Sequence, residues 1–277
     1  MSDSLRRAAA WAAVGRLARL LAGVAPIAPL KGALLEMGAS PGRAARMADV
    51  DVLVPEGAYE SAHGALERAG VHCVAMDRDD RARTYGGAIP ATIDLHRRLF
   101  KRGLFRLPTA ALFARATRDD ATYGAPVWIL DPRDTYAHLL GHAISGRQAA
   151  PGRARALRDL RAWSKHAGLD AAATAAHLAS VGMGRAARLL LAEAQPDDTF
   201  AHRVLEALPP DPLSGLVVRI GRRALEAGNP TLVRTAGVHA LNATLPRGAA
   251  SLASHLLHGA RKRWIDPDPP GIEIDTH

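Results

Sequence analysis

Residues 47–54 read Met47-Ala48-Asp49-Val50-Asp51-Val52-Leu53-Val54, a pattern typical of a β-strand that carries two acids on one side. Successive side chains of a strand point to opposite faces, so Asp49 and Asp51 project together while the valines face a core. Two like charges on one face repel each other and lose hydration when they are buried. A divalent cation offsets this repulsion, and carboxylate oxygens suit Mg²⁺. The stretch therefore predicts a metal site; the alternative is a strand end with two solvated aspartates.

A second predicted strand, residues 91–96, carries a third acid. Asp94 lies between Ile93 and Leu95, so it faces away from their side of the sheet, and His96 shares its face. If this strand lies beside the first, Asp94 completes a cluster of three acids. The alternative is a single exposed aspartate.

A phosphate site is predicted immediately before these strands. A short apolar segment, residues 27–30, leads into Lys31-Gly32 and then a helix-forming run. This order places backbone N–H groups at a helix N-terminus, where phosphate oxygens are favoured. Gly32 lets the backbone approach a ligand, Lys31 adds a positive charge, and we assign Arg46, at the end of the Gly- and Arg-rich loop that follows, to the same site. The alternative is a plain turn with a surface lysine.

Composition predicts a folded protein of one large or two ordinary domains. The chain has 277 residues, of which 48% are hydrophobic and only 4% aromatic, so the core must consist mainly of Ala, Leu and Val. The single cysteine, Cys73, excludes an intrachain disulfide and a cysteine zinc cluster, and it fits a reducing cytoplasm. No apolar run of about 20 residues occurs, so we expect no membrane span. Arg16 and Arg19 interrupt the N-terminal apolar region, which argues against a signal peptide.

The formal net charge of +9 permits an acidic partner such as a nucleotide, a nucleic acid or a membrane surface. Nucleic acid is disfavoured, because no basic run is interleaved with aromatic residues. Residues 4–24 are predicted to form an amphipathic helix packed on the next domain. A membrane-surface helix is the alternative, with Trp11 as its one large anchor.

The predicted organisation is a sheet-containing domain at residues 1–147, a helical domain at 148–264 and a flexible acidic tail at 265–277. Gln148 to Gly152 is the predicted linker. His138 and His142 lie four residues apart in the helix before it, and we assign them to the face of a domain interface. Zinc binding is the alternative for this pair, although no Glu or Cys accompanies it at suitable spacing.

Five segments together resemble the uncharacterised nucleotidyltransferase family of the polymerase-β-like superfamily. They occur in the family's order, and the resemblance covers roughly residues 30–163. The segments are Leu30-Lys31-Gly32, Asp49-Val50-Asp51-Val52-Leu53-Val54, Ile93-Asp94-Leu95-His96, Leu139-Leu140-Gly141-His142 and Arg158-Asp159-Leu160.

The resemblance implies an α+β fold, a small mixed β-sheet with flanking helices, followed by a C-terminal helical domain. It also implies metal-assisted transfer of a nucleoside monophosphate group from a nucleoside triphosphate to a hydroxyl acceptor. Asp49 and Asp51 would hold two Mg²⁺ ions, with Mn²⁺ as the alternative metal, and Asp94 would share one ion and help deprotonate the acceptor. Lys31 and Gly32 would meet the triphosphate. The wider superfamily has Gly-Gly or Gly-Ser at this point, so a hydroxyl contact to phosphate is missing here.

Two functional hypotheses follow, and the first predicts a specific effect of replacing Asp51. The first is a transferase whose acceptor is a small molecule, sugar, peptide or protein. The second is an antitoxin-like or accessory module that binds a protein partner through the helical domain. For the first, Asp51→Asn is expected to abolish transfer and to leave the melting temperature similar or higher, because a like-charge pair is relieved.

Overall fold

The structure is a computed structural model that describes residues 3–36, 39, 49–77, 80–101, 104–145, 150–226 and 241. Arg46, the part of the predicted helical domain after residue 226 except residue 241, and the tail at 265–277 lie outside the described residues. Within the described part the protein has the predicted α+β fold, a mixed sheet with flanking helices followed by a helical region.

A five-stranded sheet holds the two acidic strands side by side at its centre. Its order is β1-β2-β5-β4-β3, and β2 and β5 run parallel while the other neighbours are antiparallel. Two further strands, β6 and β7, form a separate ribbon. The strands are β1 (Ala28–Pro29), β2 (Asp49–Leu53), β3 (Val71–Met76), β4 (Ala82–Gly87), β5 (Thr92–His96), β6 (Thr117–Asp119) and β7 (Val127–Ile129).

Helices cover both faces of this sheet and make up most of the rest of the described chain. Those after residue 150 alternate with short turns, and α7 and α9 begin at aspartate caps. The helices are α1 (Asp3–Leu20), α2 (Lys31–Leu35), α3 (Tyr59–Arg68), α4 (Thr109–Arg115), α5 (Pro132–Ser145), α6 (Ala150–His166), α7 (Ala171–Ser180), α8 (Gly184–Leu191), α9 (Thr199–Ala207) and α10 (Ser214–Glu226).

The alternation of side chains along β2 divides the core into two hydrophobic clusters. Val50 and Val52 belong to the first cluster, together with Val14 of α1 and Leu66 of α3. Leu53 points the other way and belongs to the second cluster, with α2, α5 and the later helices. The acidic face of β2 is therefore the face that α2 and α5 cover.

Helix α1 packs its apolar side into the protein interior, as predicted. Ala13, Val14 and Leu17 are fully buried against the sheet. Among the described residues, no helix combines the length and the apolar character that crossing a bilayer would take.

The predicted linker is partly helical. Residues 150–152 form the first turn of α6, and the preceding four residues lie outside the described part. The second hydrophobic cluster also contains residues from both sides of the predicted domain boundary, among them Leu34, Leu140 and Leu178. The division at residues 147 and 148 stays a prediction.

Candidate active site

Strand pairing brings the acids of β2 and β5 together. In the parallel register of these strands, Asp51 lies directly opposite Asp94, and Asp49 lies opposite Thr92. His96 follows Asp94 by two residues and shares its face. One ligand atom from each of Asp51, Asp94 and His96 lies within 4.8 Å of the others. We call these three residues and Asp49 the acid cluster.

Asp51 is a buried carboxylate whose charge is already compensated. Lys31 Nζ lies 2.7 Å from its Oδ1, and His96 Nε2 lies 2.8 Å from the same oxygen. Burial alone would raise the pKa of Asp51, but the Lys31 ammonium and the His96 hydrogen bond outweigh it and hold this pKa well below its usual range. Asp51 is therefore ionised throughout the physiological pH range.

Asp49 is in the opposite situation. Burial, the charges of Asp51 and Asp94, and a hydrogen bond between the Asp49 and Asp94 carboxyl groups raise the pKa of Asp49 to about 6, against a smaller lowering by Lys31. The other side of Asp94 is held by Thr84, whose Oγ1 donates to Asp94 Oδ1 at 2.6 Å. Thr84 was not identified from the sequence. Asp49 thus lies half-buried beside two other acids, Asp51 and Asp94.

Lys31 reaches Asp51 because its backbone adopts a left-handed conformation. Its φ is 44°, which costs free energy for any residue with a Cβ. The preceding Leu30 is extended, and its N–H donates to the Asp51 carbonyl at 2.9 Å, so the chain is anchored to β2 just before the turn. Lys31 is paired and mostly buried, so the alternative of a surface lysine in a plain turn is wrong. Gly32 follows it in the first turn of α2.

His138 and His142 border the acid cluster from helix α5. His138 is buried and His142 is half-buried, and their pKa values are lowered by burial and by the nearby Lys31 charge, that of His142 to about 3. Asp51 and His96 also interact electrostatically with the pair. The two rings therefore lie near the site, and their assignment to a domain interface stays a prediction. The Leu139–His142 segment of the family pattern was the signal that could have placed them there.

The donor set of the cluster fits a hard divalent cation. Three carboxyl groups supply oxygen ligands, the kind that Mg²⁺ and Mn²⁺ prefer, and Lys31 is one positive charge against three acids. Burial is the largest cause of the raised pKa of Asp49, and the charges of Asp51 and Asp94 raise it further; a bound cation would offset the effect of these charges.

A comparison with protein families identifies the chain. The family described as uncharacterised nucleotidyltransferase matches residues 4–195. The chain belongs to this family. The matched range of the nucleotidyltransferase contains Lys31, the acid cluster and both α5 histidines, and it continues through α8. Membership indicates transferase activity on a nucleotide substrate. The chain matches no curated protein at a significant level.

Proposed function

We propose that the protein is a Mg²⁺-dependent nucleotidyltransferase that moves a nucleoside monophosphate group from a nucleoside triphosphate to a hydroxyl group. The observation that carries this proposal is the pairing of Asp51 with Asp94 across adjacent parallel strands, with Asp49 two residues before Asp51 on the same face of β2. The acceptor class is a small molecule, sugar, peptide or protein. A cytoplasmic location is part of the same proposal and rests on the single cysteine.

In this proposal Asp49, Asp51 and Asp94 hold the metal, as two Mg²⁺ ions or as Mn²⁺ in the same places. Bound there, the metal supplies positive charge that stabilises the entering and leaving oxygens of an in-line displacement at phosphorus. Asp94 also accepts the proton of the acceptor hydroxyl, and Thr84 fixes the orientation of its carboxylate. The protein contributes positioning and charge rather than a covalent intermediate.

The triphosphate side of the site belongs to Lys31, Gly32 and Arg46 in this proposal. The Lys31 ammonium, which pairs with Asp51 at the edge of the site, would be the positive charge that meets a phosphate oxygen of the triphosphate. Gly32 has no side chain, so a phosphate group could approach its backbone closely. Arg46 lies outside the described residues, and its role rests on the sequence alone.

Transfer of label tests this function for any acceptor that a cell extract contains. The protein is incubated with each α-labelled nucleoside triphosphate, Mg²⁺ and the extract, and labelled products are separated. Wild type is expected to label a product in the presence of Mg²⁺, and Asp94→Asn is expected to lose at least about two orders of magnitude of that rate. Asp197→Asn is the matched control, because this carboxylate is exposed just before α9 and pairs with Arg161. Undiminished transfer by Asp94→Asn would remove the proposal.

A second candidate is a binding module that keeps the fold and acts through a protein partner. Three large apolar side chains on or beside α10 are exposed, Leu213 at 41%, Leu216 at 51% and Ile220 at 48%. Calorimetry with ATP and Mg²⁺ discriminates the two candidates. Heat of binding that Asp94→Asn abolishes supports the enzyme; no heat, together with co-purification of a defined second protein, supports the module.

A further inference from the structure

Asp51 and Asp94 each accept side-chain hydrogen bonds on Oδ1. Both donors to Asp51, Lys31 Nζ and His96 Nε2, converge on Oδ1, and Thr84 donates to Oδ1 of Asp94. The remaining oxygen of Asp51 has no hydrogen-bond donor among the described residues, so it is the oxygen of this carboxylate that is available to a cation. His96 thus has two conceivable roles, as a third ligand of the metal or as a donor that orients Asp51.

The hydrogen-bond chemistry of His96 separates these roles. An ionised carboxylate only accepts hydrogen bonds, so the Nε2 atom at 2.8 Å from Asp51 Oδ1 must carry a hydrogen. A nitrogen that carries a hydrogen has no lone pair to offer a metal. Ligation through Nε2 would require its proton to move to Nδ1, which is buried and has no partner among the described residues. Nδ1 lacks a partner in either tautomer, but only the tautomer with the hydrogen on Nε2 keeps the hydrogen bond to Asp51.

The position of His96 in the sheet also favours the donor role. It is the last residue of β5 and is flanked by Leu53 of β2 and Ala82 of β4. Its carbonyl accepts from Val54 N at 3.0 Å, and its side chain is only 4% exposed. A ring anchored in this way cannot easily turn its edge away from Asp51, and fixed orientation is what a residue behind a metal ligand provides.

We propose that His96 is a positioning residue that holds the Asp51 carboxylate through Nε2–H, and that it is not a ligand of the metal although it lies within the same cluster. This inference rests on the proposed metal-dependent function. According to this inference, the cluster binds the metal through carboxylate oxygens only. Such a set suits Mg²⁺ and Mn²⁺, whereas an imidazole ligand would shift the preference toward zinc, iron or nickel.

Pulsed electron paramagnetic resonance of the Mn²⁺-loaded protein tests the inference directly, because imidazole nitrogen bound to Mn²⁺ gives a nitrogen coupling. Wild type is compared with His96→Gln, since the Gln amide can donate from nearly the place of the His Nε2. We expect the same nitrogen signal in both proteins, so that His138 and His142, present in each, do not affect the result. A directly bound nitrogen signal in wild type that is lost in His96→Gln overturns the inference.

Mn²⁺ affinity gives a second readout that a merely structural role would not produce. We expect His96→Gln to bind Mn²⁺ within a few-fold of wild type, because its donor is retained. His96→Leu removes the donor and is expected to lose about tenfold or more in affinity. Equal losses in the two variants would overturn the inference. Thermal unfolding checks that both variants fold. If His96→Leu does not fold, the electron paramagnetic resonance spectrum of His96→Gln alone tests whether His96 binds the metal.

Asp94→Asn separates this inference from the function on which it rests. If Mn²⁺ binding does not depend on Asp94, both the proposed function and the role of His96 are overturned. If Mn²⁺ binding depends on Asp94 but the His96 nitrogen is bound to the ion, only the inference about His96 is overturned.

Discussion

Asp49 and Asp51 lie on the same face of β2, two residues apart, and their carboxyl groups have opposite tendencies to ionise. The pKa of Asp49 is raised to about 6 by burial and by its acidic neighbours, whereas Lys31 and His96 hold the pKa of Asp51 well below its usual range. The sequence pattern predicts two equivalent acids that repel each other. In the structure, the repulsion contributes to the raised pKa of Asp49, whereas the pKa of Asp51 is lowered.

Asp49→Asn is expected to stabilise the metal-free protein at high pH. The pKa of Asp49 is about 6 in the folded state and its ordinary value is 3.8. The free energy of unfolding therefore decreases as the pH rises from 3.8 through 6, because Asp49 ionises less readily in the folded state than in the unfolded state. The amide of the variant does not ionise, so it avoids this loss of stability. We expect a gain of about 1 kcal/mol at pH 8, discounted for partial exposure, and no gain near pH 4. Thermal unfolding in EDTA across this range measures it; a gain that is the same at both pH values would contradict the assignment.

Asp51→Asn is expected to destabilise the metal-free protein, which reverses the expectation from the sequence. Asp51 is the hydrogen-bond and ion-pair partner of Lys31 and His96, so the neutral amide leaves a mostly buried ammonium without its counter-charge. Breaking such a pair costs about 2–3 kcal/mol when one partner is partly exposed. Urea denaturation in EDTA measures the loss, with Asp197→Asn as the control. A urea midpoint equal to or above that of wild type would support the simpler like-charge account instead.

Lys31→Gly and Lys31→Met together test whether the left-handed backbone of Lys31 is strained. Both variants lose the ammonium, but only glycine adopts a φ of 44° without a steric cost. We therefore expect Lys31→Gly to be about 1 kcal/mol more stable than Lys31→Met. Equal stability of the two variants in urea denaturation would mean that the turn relaxes when the ion pair is gone.

Gly141→Ala is expected to disturb the side of the site that α5 forms. A Cβ at Gly141 would lie 2.5 Å from two atoms of the Phe100 ring and 2.9 Å from Met183 Cε, and Phe100 is in ring contact with His138. Overpacking of this kind costs about 1–3 kcal/mol, although alanine is otherwise the better helix former. Gly64→Ala in α3 is the matched control, because only the flexible end of Arg68 is close, at 3.3 Å. Unchanged unfolding of Gly141→Ala would show that Phe100 moves aside freely.

Several features were predictable from sequence because strand periodicity fixes which side chains share a face. The alternation in residues 49–54 and 92–96 places the three acids correctly on their own strands, and the α+β fold and the family are confirmed. The metal and phosphate roles of these residues stay predictions.

Other features were not predictable because periodicity does not determine how elements cross. The Lys31 ammonium pairs with Asp51 from a residue with a left-handed φ, and the composition of the sequence indicates neither feature. Thr84 enters the site only through the register between β4 and β5. His138 and His142 reach it because Gly141 lets α5 approach Phe100 closely, a packing relation that a single sequence does not show.

The most direct test of the central claim is calorimetric titration with a non-hydrolysable nucleoside triphosphate, in the presence of Mg²⁺ and again in EDTA. If Asp49, Asp51 and Asp94 share a divalent cation beside the triphosphate, binding requires Mg²⁺, weakens at least about tenfold in Asp94→Asn and stays unchanged in Asp197→Asn. Binding of equal strength in EDTA, or equal binding by Asp94→Asn and wild type, would contradict the claim.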